Sequence, residues 1–276
     1  MLLLGLAAIV ILFTVLWAVS LRLENSSIAD VAWGPGILLI GLTYYFTSDG
    51  RTPRAHLTLA LLAIWAIRLA THLYFRMRLQ GEDFRYVKWR EEYNHWWLVS
   101  YFKVFLLQAV AGWIISLPIY FSIVSLAPPS LTILDYLGVL LFVCGLVFES
   151  VGDEHLRRFR ADRANRGKVL DTGLWRYTRH PNYFGEALLW WGFGVIGLAT
   201  GGVPGLVGPA ILTYLLIYVS GVALLESTLI EKAGYIRYVG RTPAFLPLPA
   251  KVQAQLLTKL RGLQKKPTAP PKRRYY

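Results

Sequence analysis

Residues 2–21 read LLLGLAAIVILFTVLWAVSL, twenty positions without one charged side chain. A helix needs about 20 mostly apolar residues to cross a bilayer. The stretch lacks the positive leader of a signal peptide and no A-x-A site follows it, so it is expected to be a retained anchor. Working outward, six further apolar stretches lie at roughly 31–48, 56–76, 101–125, 132–151, 183–200 and 204–225. Turn chemistry separates the closest of them, at Ala127-Pro128-Pro129-Ser130 and at Gly201-Gly202-Val203-Pro204. The expected fold is all-α: a polytopic membrane bundle of about seven transmembrane helices.

Composition agrees and excludes other classes. The 276 residues are 55% hydrophobic, yet 29 Lys and Arg face only 16 Asp and Glu, a net charge of +13. The mean hydropathy is +0.44. A soluble nucleic-acid-binding domain spreads its positive charge over a polar surface, and a disordered chain lacks this much apolar residue. A membrane protein reconciles the two by confining charge to loops. If the seven stretches alternate in direction, one side collects 25 Lys and Arg, and the other holds only Arg51 and Arg54. That asymmetry places the N-terminus outside and the C-terminus in the cytoplasm. Residues 1–250 are expected to form the membrane domain. Residues 251–276, with Pro267, Pro270, Pro271 and a Lys/Arg cluster, are expected to be a disordered basic tail near anionic headgroups. The single cysteine, Cys144, excludes internal disulfides and Cys-based metal sites, and no metal is expected.

Ionisable groups in or beside membrane spans are costly and therefore informative. Arg68, His72 and Arg76 follow one stripe of the third span. Glu149 and Asp153 share a face at the end of the fifth, with Arg160 on the same face if the helix continues. Asn182 and Glu186 open the sixth span, and Asp30 and Trp33 open the second. Four spans thus bring polar groups to their cytoplasmic ends. Between the fifth and sixth spans a loop of eight cations suits a phosphorylated ligand, since phosphates prefer Arg forks and Lys point charges. By contrast, Gly192-Phe193-Gly194-Val195-Ile196-Gly197 fits the dinucleotide glycine pattern but lies inside an apolar stretch. Close helix packing accounts for it.

The run Leu170-Asp171-Thr172-Gly173-Leu174-Trp175-Arg176-Tyr177-Thr178-Arg179-His180-Pro181-Asn182-Tyr183-Phe184-Gly185-Glu186 resembles the signature of the steroid 5-alpha-reductase-like superfamily. The likeness is closest to its bacterial branch of membrane proteins. It extends to Asp30-Val31-Ala32-Trp33-Gly34-Pro35-Gly36, to Arg68 through His72, and to Gly81-Glu82-Asp83-Phe84-Arg85-Tyr86. It ends with Leu225-Glu226 and with Arg241-Thr242-Pro243-Ala244-Phe245-Leu246-Pro247.

The resemblance implies a bacterial inner-membrane enzyme that uses NADPH from the cytoplasmic side. The reaction it implies is reduction of an activated carbon–carbon double bond in a sterol or other lipid. By position, Asp153 corresponds to an adenosine-side contact, Arg160 and Lys168 to phosphate contacts, and Asn182 to the residue that orients the nicotinamide amide. Asp83 falls near a family asparagine that touches the cofactor. Arg179, Glu186 and Arg241 complete the implied cofactor set. On the substrate side the steroid enzymes carry a Gln-Glu pair and a Tyr, and the nearest residues here are Asp30 and His72. Their last-span His is replaced by Leu225-Glu226-Ser227.

The chemistry can also be stated without the family. Hydride transfer to the β carbon of an enone builds negative charge on the carbonyl oxygen, which a placed donor stabilises and protonates. His72 and Asp30 are the expected donor pair, with Arg68 holding Asp30 or the enolate. Two other functions fit the same residues. One is an S-adenosylmethionine-dependent methyltransferase of the isoprenylcysteine carboxyl methyltransferase type, which shares the Arg179-His180-Pro181 turn. The other is a non-enzymatic lipid-binding membrane protein.

Overall fold

The computed structural model describes residues 1–49, 51–229, 234–249 and Val252. The expected tail therefore lies outside the described residues, apart from Val252. Among the described residues every regular element is helical and there is no strand. Five helical segments are long and apolar enough to cross a membrane: Leu2–Leu23, Pro53–Gln80, Trp96–Ile115, Ile133–Ala161 and Val203–Glu226. The protein is a helical membrane protein.

The two remaining expected spans are shorter helices. Helix α3, Trp33–Thr47, has 15 residues, and α10, Pro181–Leu198, has 18. At 1.5 Å per residue they run about 22 and 27 Å, against a hydrocarbon layer of about 30 Å. The expected span 101–125 is also interrupted. It is built from α6 (Trp96–Ser100), a π-helical turn (Tyr101–Leu106), α7 (Leu107–Ile115) and α8 (Leu117–Val124). The break falls at Ser116, where Pro118 withholds a backbone donor and restarts the helix.

Local chemistry sets the other boundaries. Helix α1, Leu2–Leu23, ends on Glu24 in the left-handed region, followed by the short α2, Ile28–Val31. Helix α4, Pro53–Gln80, begins with Thr52, whose hydroxyl accepts from the Ala55 amide, and with Pro53 at its first position. Helix α5, Phe84–Glu92, starts at Asp83, whose carboxylate accepts from the Arg85 amide. Helix α9, Ile133–Ala161, is about 44 Å long. It outruns the expected span 132–151 because its charged last turns, from Glu149 onward, still form good helix once past the apolar stretch.

The chain divides into two compact units. The first comprises residues 1–146 and 187–214, the second residues 147–186 and from 215 on. In the first, α1 packs on α3 and α3 on α4. Its core holds Trp65 edge-to-face on Trp190 at 5.1 Å and Phe142 on Phe193 at 5.3 Å. Gly192 belongs to this core. A Cβ there would stand 2.6 Å from the Gly138 carbonyl oxygen, closer than any side chain tolerates. The glycine pattern of 192–197 is thus a helix-packing device, as its apolar surroundings indicate.

The second unit contains the last turns of α9 and the loop 162–180 with two 3₁₀ turns, Arg163–Asn165 and Gly173–Arg176. It also contains the first turns of α10, a π turn (Leu215–Val219), α12 (Val222–Leu229) and α13 (Tyr235–Val239); α11, Val207–Tyr214, closes the first unit. Phe184 joins the pieces of the second unit, packing at 5.3 Å on Phe148 and 6.0 Å on Phe245.

Candidate functional site

In the first unit the α4–α5 connection builds a polar network around Asp30. The Tyr86 hydroxyl donates to Asp30 Oδ1 at 2.6 Å, and Gln108 Nε2 donates to the same oxygen at 3.2 Å. Arg85 bridges the two acids, Nη2 to Asp30 Oδ2 at 3.3 Å and Nε to Asp83 Oδ1 at 2.8 Å. Arg76 reaches Asp83 at 3.4 Å, and the Asp83 amide donates to the Ser27 hydroxyl at 2.8 Å.

Electrostatics separate the two acids. Burial pushes the Asp30 carboxyl above the usual range despite Arg85 and Tyr86. Burial raises Asp83 too, but the Arg85 hydrogen bonds and charge outweigh it and hold Asp83 below the usual range. Tyr86 is raised well above 10.0, first by burial and then by the Asp30 charge. Of the candidate residues in this unit, Asp30 and Asp83 are brought together through Arg85. His72 and Arg68 stand half-buried one turn apart on α4.

In the second unit Asp153, near the end of α9, accepts from Asn182 Nδ2 at 2.9 Å. Helix α9 does continue past Asp153, so Arg160 lies on it. Beyond that helix lies a cavity of about 290 Å³. Arg160, Arg163, Arg166, Lys168 and Arg179 line it, together with Trp175, Tyr235 and Tyr238. Arg163, Arg166 and Lys168 are exposed and pair with no carboxylate among the described residues.

One carboxylate, Asp162, also lines the cavity, and the neighbouring Glu154 and Asp171 are engaged with other arginines. Glu154 holds Arg157 and Arg158 at 2.6 and 2.5 Å, and Asp162 accepts from the Ala164 amide at 2.8 Å. Asp171 pairs with Arg241. The cavity lining therefore carries five cations against one acid, Asp162, a net positive charge.

Arg179 has a second role that spacing alone does not reveal. Its Nε and Nη2 meet Glu226 at 2.7 and 2.9 Å, and His180 Nε2 lies 3.2 Å from the same carboxylate. Its Nη1 donates to the Val239 and Thr242 carbonyls. Thus of the eight expected cofactor residues, Arg160, Lys168 and Arg179 line one cavity. Asp153 and Asn182 form a separate bonded pair, and Arg241 is held by Asp171. Glu186 is buried at the start of α10.

Sequence reasoning did not select Arg85, Tyr86, Gln108, Glu226, Tyr235 or Tyr238. The Arg85-Tyr86 and Leu225-Glu226 pairs lay within motifs already singled out, but nothing in their spacing says what they bind.

Fold and site define a polytopic helical membrane protein with a cation-lined cavity beside its α9 terminus. Residues 16–242 match the model of the family described as "Protein of unknown function (DUF1295)", and the chain belongs to that family. An uncharacterized protein of Schizosaccharomyces pombe is 27% identical over 219 residues, covering 70% of this chain and 63% of the relative. The chain thus spans about 63% of that relative's length. No solved structure matches it.

Proposed function

We propose that this protein is an integral membrane oxidoreductase of the steroid 5-alpha-reductase-like superfamily. In this proposal NADPH is used to reduce an activated carbon–carbon double bond of a sterol or other lipid. The bundle has seven spans, with the N-terminus outside and the cofactor region facing the cytoplasm of a bacterial inner membrane. The observation that carries the proposal is the cavity lining of the second unit. Three cations without carboxylate partners among the described residues, with Arg160 beside them, line one cavity with aromatic side chains and a single acid, Asp162. A ligand that combines several phosphate groups with planar rings fits this donor set.

The residues present fit NADPH on those grounds. Arg160, Arg163, Arg166 and Lys168 would hold its phosphates, and Asn182, fixed by Asp153, would orient the nicotinamide amide. When bound, NADPH supplies the hydride. The chain's own groups then handle the oxygen of the activated carbonyl. His72 donates a proton or hydrogen bond to it, Asp30 tunes the polarity of the substrate region, and Arg68 steadies the developing negative charge. Asp30 brings Tyr86 and Gln108 with it as additional polar partners.

The methyltransferase alternative needs a carboxylate for the cofactor amine, and Glu226 is taken by Arg179. Thermal unfolding of the purified protein in detergent, with NADPH, NADH or S-adenosylmethionine, tests the proposal. A ligand at one hundred times its Kd stabilises the folded state by about 2.7 kcal/mol. NADPH is expected to raise Tm, and the gain is expected to shrink at high salt and in the Arg166→Ala and Lys168→Ala variants. Stabilisation by S-adenosylmethionine alone, or by none of the three, overturns it.

A further inference from the structure

We propose that Glu226 is a positioning residue that latches a hinged C-terminal strap, and that release of the strap admits ligand to the cavity. The strap is the segment 235–249, and it supplies Tyr235 and Tyr238 to the cavity wall. Most of its hydrogen bonds converge on the short stretch 175–179, with Arg241 held by Asp171 and Phe245 packed on Phe184 besides. The Arg179 amide donates to the Pro243 carbonyl at 2.9 Å. The Thr178 hydroxyl donates to the Phe245 carbonyl at 2.8 Å and the Ala244 carbonyl at 3.2 Å. The Leu248 amide donates to the Tyr177 carbonyl at 3.1 Å, and the Tyr238 hydroxyl donates to the Trp175 carbonyl.

The Arg179 side chain adds the bonds to the Val239 and Thr242 carbonyls, and among the described residues Glu226 is the carboxylate that balances its charge in this buried position. Arg179 is 8% exposed, so without that carboxylate the guanidinium is left as a buried, uncompensated charge. One carboxylate on α12 thereby decides whether the fork that grips the strap stays in place.

The chain leading into this latch has a built pivot. At Leu215–Val219 the helix widens to a π turn, closed by the Ser220 amide on the Leu215 carbonyl at 2.9 Å. Gly221 follows, where a Cβ would stand 2.1 Å from the Leu216 carbonyl oxygen. Helix α12 restarts at Val222 and carries Leu225, Glu226 and Leu229, of which Leu225 and Leu229 also line the cavity. Pivot and latch lie within residues 215–229, and the wall within residues 235–248. Such an interrupted helix is where a hinge absorbs motion.

The kinetic test rests on the nucleotide proposal above; a second measurement does not. NADPH binding is followed by stopped-flow fluorescence in wild type and in Glu226→Gln. A released latch raises both the association and the dissociation rate, by about tenfold each for a lost 1.4 kcal/mol, with Kd changed less than threefold. A rise in dissociation alone makes Glu226 a static part of the binding surface and overturns the gate. Hydrogen exchange of the ligand-free proteins is measured alongside. In Glu226→Gln, the Arg179 and Leu248 amides are expected to lose protection together while α9 amides keep theirs. Unchanged exchange at those amides overturns the latch. If wild type fails to bind NADPH, the nucleotide proposal falls, and the exchange result alone decides the latch. Should Glu226→Gln not fold, Tyr238→Phe, which removes one strap bond and no charge, is put through the same two measurements.

Discussion

Arg54 grips Asp135 with two bonds, Nε to Oδ1 at 2.7 Å and Nη2 to Oδ2 at 2.9 Å, and both side chains are buried. The pair is fully used. Arg54 also donates to the Pro128 and Ser130 carbonyls, and Asp135 accepts from the Thr132 amide and hydroxyl. It pins the 127–131 turn to the start of α4. Removing one partner leaves the other as a buried charge. Asp135→Ala is expected to lower stability by about 3–5 kcal/mol, measured by denaturation in detergent. The double variant Arg54→Met/Asp135→Leu is expected to recover part of that loss and not all, because the turn carbonyls lose their donors. Full recovery would show that the turn does not depend on Arg54.

Asp83 makes stability depend on acid. Its folded pKa lies below its ordinary value, because Arg85 outweighs burial. Its contribution is therefore complete above the ordinary carboxylate range of about 4, and is lost as pH falls through the lower folded value. Asp30 works with the opposite sign, since its raised carboxyl takes a proton in the folded state first. Asp83→Asn keeps a good N-cap and removes only the charge. At pH 7 the variant is expected to be less stable by about 1–2 kcal/mol. The gap to wild type is expected to narrow steadily as pH falls below about 4. A gap that stays constant with pH would refute the ionic role.

Two glycines of the same helix should differ. At Gly192 a Cβ meets backbone, the Gly138 carbonyl oxygen at 2.6 Å and the Phe142 amide nitrogen at 2.8 Å, whereas at Gly194 it meets side chains at 3.1 Å or more. Gly192→Ala is expected to cost about 1–3 kcal/mol from overpacking, and Gly194→Ala much less. Equal Tm values for the two variants would contradict the helix-packing role of Gly192.

On the proposed activity, His72→Ala is expected to abolish turnover while NADPH binding persists. Asn182→Ala, which removes the bond to Asp153, is expected to weaken NADPH about tenfold, the value of one good hydrogen bond. Arg160→Ala should weaken it similarly and flatten the salt dependence. Wild-type turnover in the first variant, or wild-type affinity in the other two, would remove those roles.

Much of the architecture was legible because transfer into a bilayer depends on consecutive residues. The run 2–21 becomes Leu2–Leu23, and the run 56–76 becomes Pro53–Gln80. The interruption at Ser116 and the π turns were not legible, because a backbone adjusts its hydrogen-bond register to neighbours that the sequence does not name. The site divides in the same way. The loop of cations and the i, i+4 pairs stood out from composition and helical period. Which cations remain available for a ligand did not.

The sequence by itself therefore determined a helical membrane protein, the location of its charge, and the loop that carries the most cations. Hydrophobicity and charge are local quantities that add along a chain. Only the tertiary structure decided the partners. Arg54 finds Asp135 across 81 residues, and Arg179 finds Glu226 across 47. A carboxylate neutralises whichever cation packing brings within about 3 Å. Arg179 was drawn from the cation loop to hold a strap, and Arg163, Arg166 and Lys168 were left facing the cavity, by packing alone.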